Sequence, residues 1–174
     1  MTIFGEGGLG KTSLASLFPS PVFIRTEDGT ASLVGNDNVS LFPVATSSQD
    51  VLDAIQALGT EKHDHKTLVI DSITQLASII ESEIVEQDPK AKSISTAGGG
   101  FGSGFSQAAE RHSLVRSWAG SLAYEMNMNV VFIGHADTET LTLPDMDPYN
   151  RYCVRMHKKS IPHYTDNVDL VGLI

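Results

Sequence analysis

Lys11 and Thr12 close a run, Gly5-Glu6-Gly7-Gly8-Leu9-Gly10-Lys11-Thr12-Ser13, whose spacing is G-x-x-x-x-G-K-T. That pattern marks loops that wrap phosphate. Its glycines permit backbone conformations closed to residues with a Cβ, so several N–H groups converge on one anion. A helix beginning near Gly10 adds its positive end at the same point. Lys11 is then placed for β- and γ-phosphate oxygens, and the Thr12 hydroxyl for Mg²⁺. A bare glycine-rich turn would need neither the lysine-threonine pair nor the apolar residues on both sides, Ile3 and Phe4 before, Leu14, Ala15, Leu17 and Phe18 after.

Three further polar residues end apolar runs. Asp71 follows Leu68-Val69-Ile70 and is expected to hold Mg²⁺, partly through water; a turn-capping aspartate is the plainer alternative. Hydrolysis also requires a group that orients or deprotonates water one hydrogen bond from the γ-phosphate. Glu27, after Pro21-Val-Phe-Ile-Arg-Thr26, is the first candidate, with Asp28 second and a solvated turn the alternative. His135, after Val130-Val-Phe-Ile-Gly134, is placed to donate a hydrogen bond to a γ-phosphate, or is simply a satisfied strand-end histidine. His63 and His65 lack a third ligand and read as a solvated loop rather than a metal site. Cys153, on an alternating segment, reads as core rather than nucleophile.

The elements that must position these groups alternate. The pattern predicts a short helix from about Gly10 to Phe18, stopped by Pro19 and Pro21, then a strand over 21–26. Residues 31–42 are turn-rich, and Leu41-Phe-Pro-Val44 reads as an edge strand because of Pro43. Ser47 and Asp50 form a capping box ahead of a helix whose face is Val51, Ile55 and Leu58 and which Gly59 ends. A strand over 67–71 leads to a helix reaching about Glu86, closed by Pro89. An irregular stretch, 90–104, precedes a helix over 106–126 with a stripe of Val115, Trp118, Leu122 and Met126. The strand tipped by His135 gives way to a polar loop over 137–150, an alternating half-buried strand over 151–156 and a final strand over 168–174. Strands separated by helices predict an α/β fold, a three-layer parallel sheet with helices on both faces and ligands beyond the strands' carboxyl ends.

Bulk properties narrow the class. A chain of 174 residues, 41% hydrophobic with 15 glycines, suits a single α/β domain over residues 1–174. No apolar run approaches the roughly 20 residues of a membrane helix, and the first residues read as strand and loop rather than signal peptide. One cysteine excludes an internal disulfide and fits a reducing, cytoplasmic compartment. A net charge of −9 argues against a generally adhesive nucleic-acid binder but leaves room for a local groove of Arg151, Arg155, Lys158 and Lys159 around His157.

Taken in order, the segments 5–15, 21–29, 67–73, 100–105, 130–136, 151–159 and 168–174 resemble the RecA-like recombinase core. They look closest to the phage nucleotide-binding proteins of that class, which include single-strand annealing proteins. The resemblance implies a P-loop NTPase of the RecA-like type, with the His135 strand between the P-loop and Asp71 strands and Glu27 activating water. His135 stands where RecA has a glutamine. Lys158 and Lys159 fall where RecA-like proteins place lysines that reach ATP across a subunit interface, so a homo-oligomer with shared sites is implied; a solvated basic turn is the alternative. The loops 97–105 and 138–150 fall where RecA-like proteins contact DNA, with Phe101 or Phe105 available to stack on a base. A flexible cover over the nucleotide site is the other reading of the first loop.

The resulting expectation is a Mg²⁺-dependent ATPase acting on single-stranded DNA in annealing or recombination, in the cytoplasm of an infected host, alongside a phage single-strand binding protein. The competing expectations are an ATP-driven assembly switch or partner-binding module that does not touch DNA, and, last, a small-molecule phosphotransferase. Arg111 and Arg116, the only mid-chain arginines, lie on the long helix rather than near the nucleotide.

Overall fold

The computed structural model describes every residue except Thr30, Ala31, Ser32 and Val34. In chain order the elements are β1 (Thr2–Gly5), α1 (Lys11–Ala15), β2 (Pro21–Arg25), β3 (Ser40–Val44), α2 (Ser48–Thr60), β4 (Thr67–Asp71), α3 (Ile73–Gln87), α4 (Ser103–Met126), β5 (Asn129–Leu143), β6 (Met146–Val154), α5 (Pro162–Thr165) and β7 (Val171–Leu173). The strands β3-β2-β4-β5-β1-β7 form a parallel sheet in that order, and β6 pairs antiparallel with the outer half of β5.

The strands are apolar on both faces because both faces are covered. Successive residues alternate between two cores. Val22, Ile24, Leu68, Ile70 and Phe132 face α2, α3 and α4 with Leu58, Ile80 and Leu122. Phe23, Val69, Val131, Ile133 and Ile3 face the other way, against Ala15 of α1 and Leu33. The three-layer α/β fold is therefore present, though unequal: one face carries three long helices, the other little beyond the five-residue α1. Fully burying each large aliphatic side chain stabilises by about 1.5–3 kcal/mol.

Local signals explain most element ends. The Ser47 hydroxyl accepts from the Asp50 N–H and Asp50 returns the bond to the Ser47 N–H, 3.0 Å, so the capping box forms. β3 lies at the sheet edge, as Pro43 requires. β5 lies between β1 and β4, the order expected from the resemblance.

Several expectations need correction. Residues 137–150 are not a polar loop: β5 runs on to Leu143 and β6 returns from Met146, so this stretch is a two-stranded ribbon. The strand expected over 151–156 instead begins at Met146 and ends at Val154, and of 151–156 Cys153, Val154 and Met156 are shielded without alternating. α1 stops at Ala15 rather than Phe18. Gly59 lies inside α2, which continues to Thr60. α4 starts three residues early, at Ser103, and buries Gly104, Ala108, His112, Val115, Ala119 and Leu122; Met126 is exposed. Of the turn-rich 31–42 stretch, residues 31, 32 and 34 lie outside the described residues.

Candidate active site

β1, β2, β4 and β5 are parallel, so the carboxyl ends of β1, β2 and β4 bring Gly5, Thr26 and Asp71 to one edge, level with His135 of β5. β1 runs straight into the glycine loop. Gly10, with φ +85°, is the residue from which α1 departs, a conformation that disfavours any side chain. Gly5 is constrained differently: a Cβ there would lie 2.2 Å from the Ile174 carbonyl oxygen, because Ile174 N–H bonds to the Phe4 carbonyl at 2.9 Å.

The side chains meet around one cavity of about 440 Å³, lined by Gly7, Gly8, Gly10, Lys11, Thr12, Ser13, Glu27, Gly29, Asp71 and His135. Lys11 is buried, and its ammonium donates to the Gly5 carbonyl at 3.0 Å and the Glu6 carbonyl at 2.7 Å. Burial lowers its pKa, against the pull of Asp71, Glu27 and Glu6. Thr12 Oγ1 donates to Asp71 Oδ2 at 2.7 Å. Burial pushes the Asp71 carboxyl up, and the Thr12 bond partly offsets it.

Glu27 is held by its neighbours on both sides. Just before it, the Thr26 hydroxyl donates to the Ser72 carbonyl at 2.8 Å and accepts from the Ser72 N–H at 2.9 Å. The Thr26 N–H also donates to the Asp71 carbonyl at 2.9 Å. The tip of β2 is thereby locked to the tip of β4. Across the cavity, His135 Nε2 lies 3.3 Å from Glu27 Oε1. A carboxylate accepts, so Nε2 is the donor. The His135 N–H is fixed in turn by Thr74 Oγ1 at 2.9 Å.

The cavity thus gathers Gly7, Gly8, Gly10, Lys11, Thr12, Ser13, Glu27, Asp71 and His135 as expected. Gly5 and Glu6 contribute their carbonyls to Lys11 instead, and Leu9 is exposed. Gly29 lines the cavity although sequence reasoning gave it only a turn; its place directly after Glu27-Asp28 is the signal that would have found it. Thr26 was likewise passed over, since nothing in a strand-end threonine announces a clamp.

Lys158 and Lys159 do not line the cavity. Lys158 is exposed, while Lys159 Nζ donates within the same chain to the Gly102 carbonyl at 3.2 Å and Ser106 Oγ at 2.8 Å. Phe105 stacks on His157 with ring centroids 3.8 Å apart, whereas Phe101 is fully exposed. His63 and His65 stack on each other, and His63 Nε2 bonds the Leu58 carbonyl at 2.8 Å. Cys153 is half-buried, and burial raises its pKa away from reactivity.

The donor set fits a nucleotide with its metal. Thr12 Oγ1 and Asp71 Oδ2 place two hard oxygens side by side, the chemistry Mg²⁺ prefers. A buried carboxylate with raised pKa is also one that a cation would relieve. When bound, Mg²⁺ supplies neutralisation of phosphate charge.

A glycine loop on a parallel sheet, with a hydroxyl-carboxylate pair at its mouth, defines a P-loop nucleotide-binding protein. The family model described as AAA domain matches residues 1–174, and the chain belongs to that family. Nucleotide binding and ATPase activity go with it. None of the curated proteins matches the chain. Among the described residues no helix is long and apolar enough to cross a membrane.

Proposed function

We propose that residues 1–174 act as one RecA-like core that binds ATP with Mg²⁺ and hydrolyses it while acting on single-stranded DNA, in annealing or recombination of the phage type. The observation that carries the ATPase part is the convergence, in one cavity, of Lys11, the Thr12–Asp71 pair and the Glu27–His135 pair. The glycine-loop N–H groups and Lys11 hold the phosphates. Thr12 and Asp71 hold the metal. Glu27, one oxygen on His135, has its second oxygen left to orient water and take its proton. His135 then stands beside the γ-phosphate, where it reports whether that group is present.

For DNA, support comes from the exposed Phe101 in the 97–105 loop and from Lys158, next in the chain to Lys159, which is bonded to Gly102 of that loop. The ribbon contributes less. Between residues 137 and 153 it carries Asp137, Glu139, Asp145 and Asp147 against Arg151 alone. Phosphate repels such a surface. That acidity favours the second reading, an ATP-driven assembly switch whose ribbon meets a protein partner rather than DNA.

The test is ATP hydrolysis with and without single-stranded DNA at low salt, in the parent and in Glu27→Ala. DNA-stimulated turnover that disappears in the variant is expected. Turnover without any DNA effect at low salt would remove the DNA role and leave the switch. Unchanged turnover in Glu27→Ala would transfer the water-activating role to Asp28.

A further inference from the structure

Arg155 is the first residue beyond β6, where the ribbon returns to the sheet. Two sets of bonds fix its position. Its N–H donates to the His135 carbonyl at 2.8 Å, so its backbone is tied to the cavity wall itself. Its Nε and Nη2 both donate to the Ala136 carbonyl, at 3.1 and 2.9 Å. Those bonds use one edge of the guanidinium and leave Nη1 outside them. The side chain is exposed, and its charge bears on Lys11. Of the groups whose charge bears on Lys11, three are carboxylates (Asp71, Glu27 and Glu6) and Arg155 alone is cationic.

The electrostatics of the cavity need such a group. A nucleoside triphosphate adds its own negative charge to Glu6, Glu27 and Asp71, while among the described residues Lys11 is the one Lys or Arg lining the cavity. Charge developing on the γ-phosphoryl oxygens is best met by a fixed guanidinium already close to its final place. Of the two lysines expected to serve from a neighbouring subunit, Lys159 bonds Gly102 and Ser106 of its own chain and Lys158 is exposed.

We infer that Arg155 is a γ-phosphate ligand acting within its own subunit, held beside His135 by the base of the ribbon and distinguishing nucleoside triphosphate from diphosphate. The inference rests on the nucleotide reading above. A purely structural role, in which Arg155 only fastens the ribbon, predicts a different outcome in the same experiment.

The experiment measures equilibrium binding of a fluorescent non-hydrolysable ATP analogue and of fluorescent ADP, both with Mg²⁺, to the parent, Arg155→Gln and Arg155→Lys. Losing a charge-assisted bond to the γ-phosphate alone is expected to weaken the triphosphate analogue about tenfold or more in Arg155→Gln, with ADP affinity unchanged. Arg155→Lys is expected to recover part of that loss. Equal losses for both nucleotides, or no loss for either, would overturn the inference, and intact ADP binding certifies the fold of the variant. A parent that binds neither nucleotide would instead bring down the nucleotide reading, and this one with it.

Discussion

Replacing Thr26 by valine isolates the clamp beneath the proposed water-activating glutamate. Valine keeps the shape of threonine and removes only the hydroxyl. That hydroxyl makes two buried bonds, donating to the Ser72 carbonyl at 2.8 Å and accepting from the Ser72 N–H at 2.9 Å. Thr26 is 5% exposed and Ser72 fully buried, so water does not replace either partner. The Ser72 N–H is left unpaired, at about 1–3 kcal/mol, while the Ser72 carbonyl keeps its bond from the Leu76 N–H at 3.0 Å and loses only the net worth of one bond, about 0.5–1.5 kcal/mol. The Thr26 N–H to Asp71 carbonyl bond survives and limits rearrangement, so a total of about 2–4 kcal/mol is expected. In a domain of this size that lowers Tm by roughly 5–15 °C. Urea unfolding of the parent, Thr26→Val and Thr26→Ser gives the measurement. Serine keeps the hydroxyl and loses one methyl, for about 1 kcal/mol. Valine indistinguishable from the parent, or serine as damaging as valine, would refute the reasoning. Because the clamp aims Glu27, Thr26→Val is also expected to slow hydrolysis more than it weakens ADP binding.

Two further outcomes follow from buried contacts elsewhere. His112 is 1% exposed, with Nδ1 2.9 Å from the Tyr164 hydroxyl, and burial, reinforced by His163, lowers its pKa from 6.5 to about 3. The unfolded chain therefore binds a proton that the folded chain refuses, and stability falls as pH drops below 6.5, by up to about 1.4 kcal/mol per pH unit until about 3. Urea unfolding at about pH 7 and about pH 5 should show a shallower decline in His112→Gln than in the parent; parallel declines would count against it. Gly5→Ala places a Cβ 2.2 Å from the Ile174 carbonyl oxygen, backbone that yields only by moving β7, so the variant should be destabilised by about 1–3 kcal/mol, and a neutral result would mean β7 is displaced at little cost.

The site was legible because its chemistry is written in contiguous runs at strand ends. The glycine loop needs no tertiary context to be recognised, and Leu68-Val69-Ile70-Asp71 declares both its strand and its tip. The ribbon was not legible for the opposite reason. Both faces of Thr138-Glu-Thr-Leu-Thr-Leu143 lie outside the core, so burial imposed no contrast, and Pro144 and Pro148 imitate loop composition. The face of α4 was misjudged because large residues were weighed above small ones. Its contact stripe runs through Gly104, Ala108 and Ala119, and a Cβ at Gly104 would lie 2.2 Å from the Ile94 carbonyl oxygen. Close approach of backbones selects smallness there, which a search for apolar bulk passes over. Gly59, read as a stop, sits within α2 near Leu122 of α4, where a Cβ would lie 3.6 Å from that side chain. α5 is a single turn, opened by Pro162, too short for any periodicity.

β5 is one uninterrupted strand of 15 residues, and His135 sits near its middle. The half before it is wedged between two neighbours in the sheet; the half after it pairs, among the described residues, with β6 alone. From His135 to Leu143 the strand reaches out about 26 Å. Such an arm works as a lever with its fulcrum at the cavity wall. Under the proposed function, a partner bound to the ribbon would hold the far end of the same strand that carries His135.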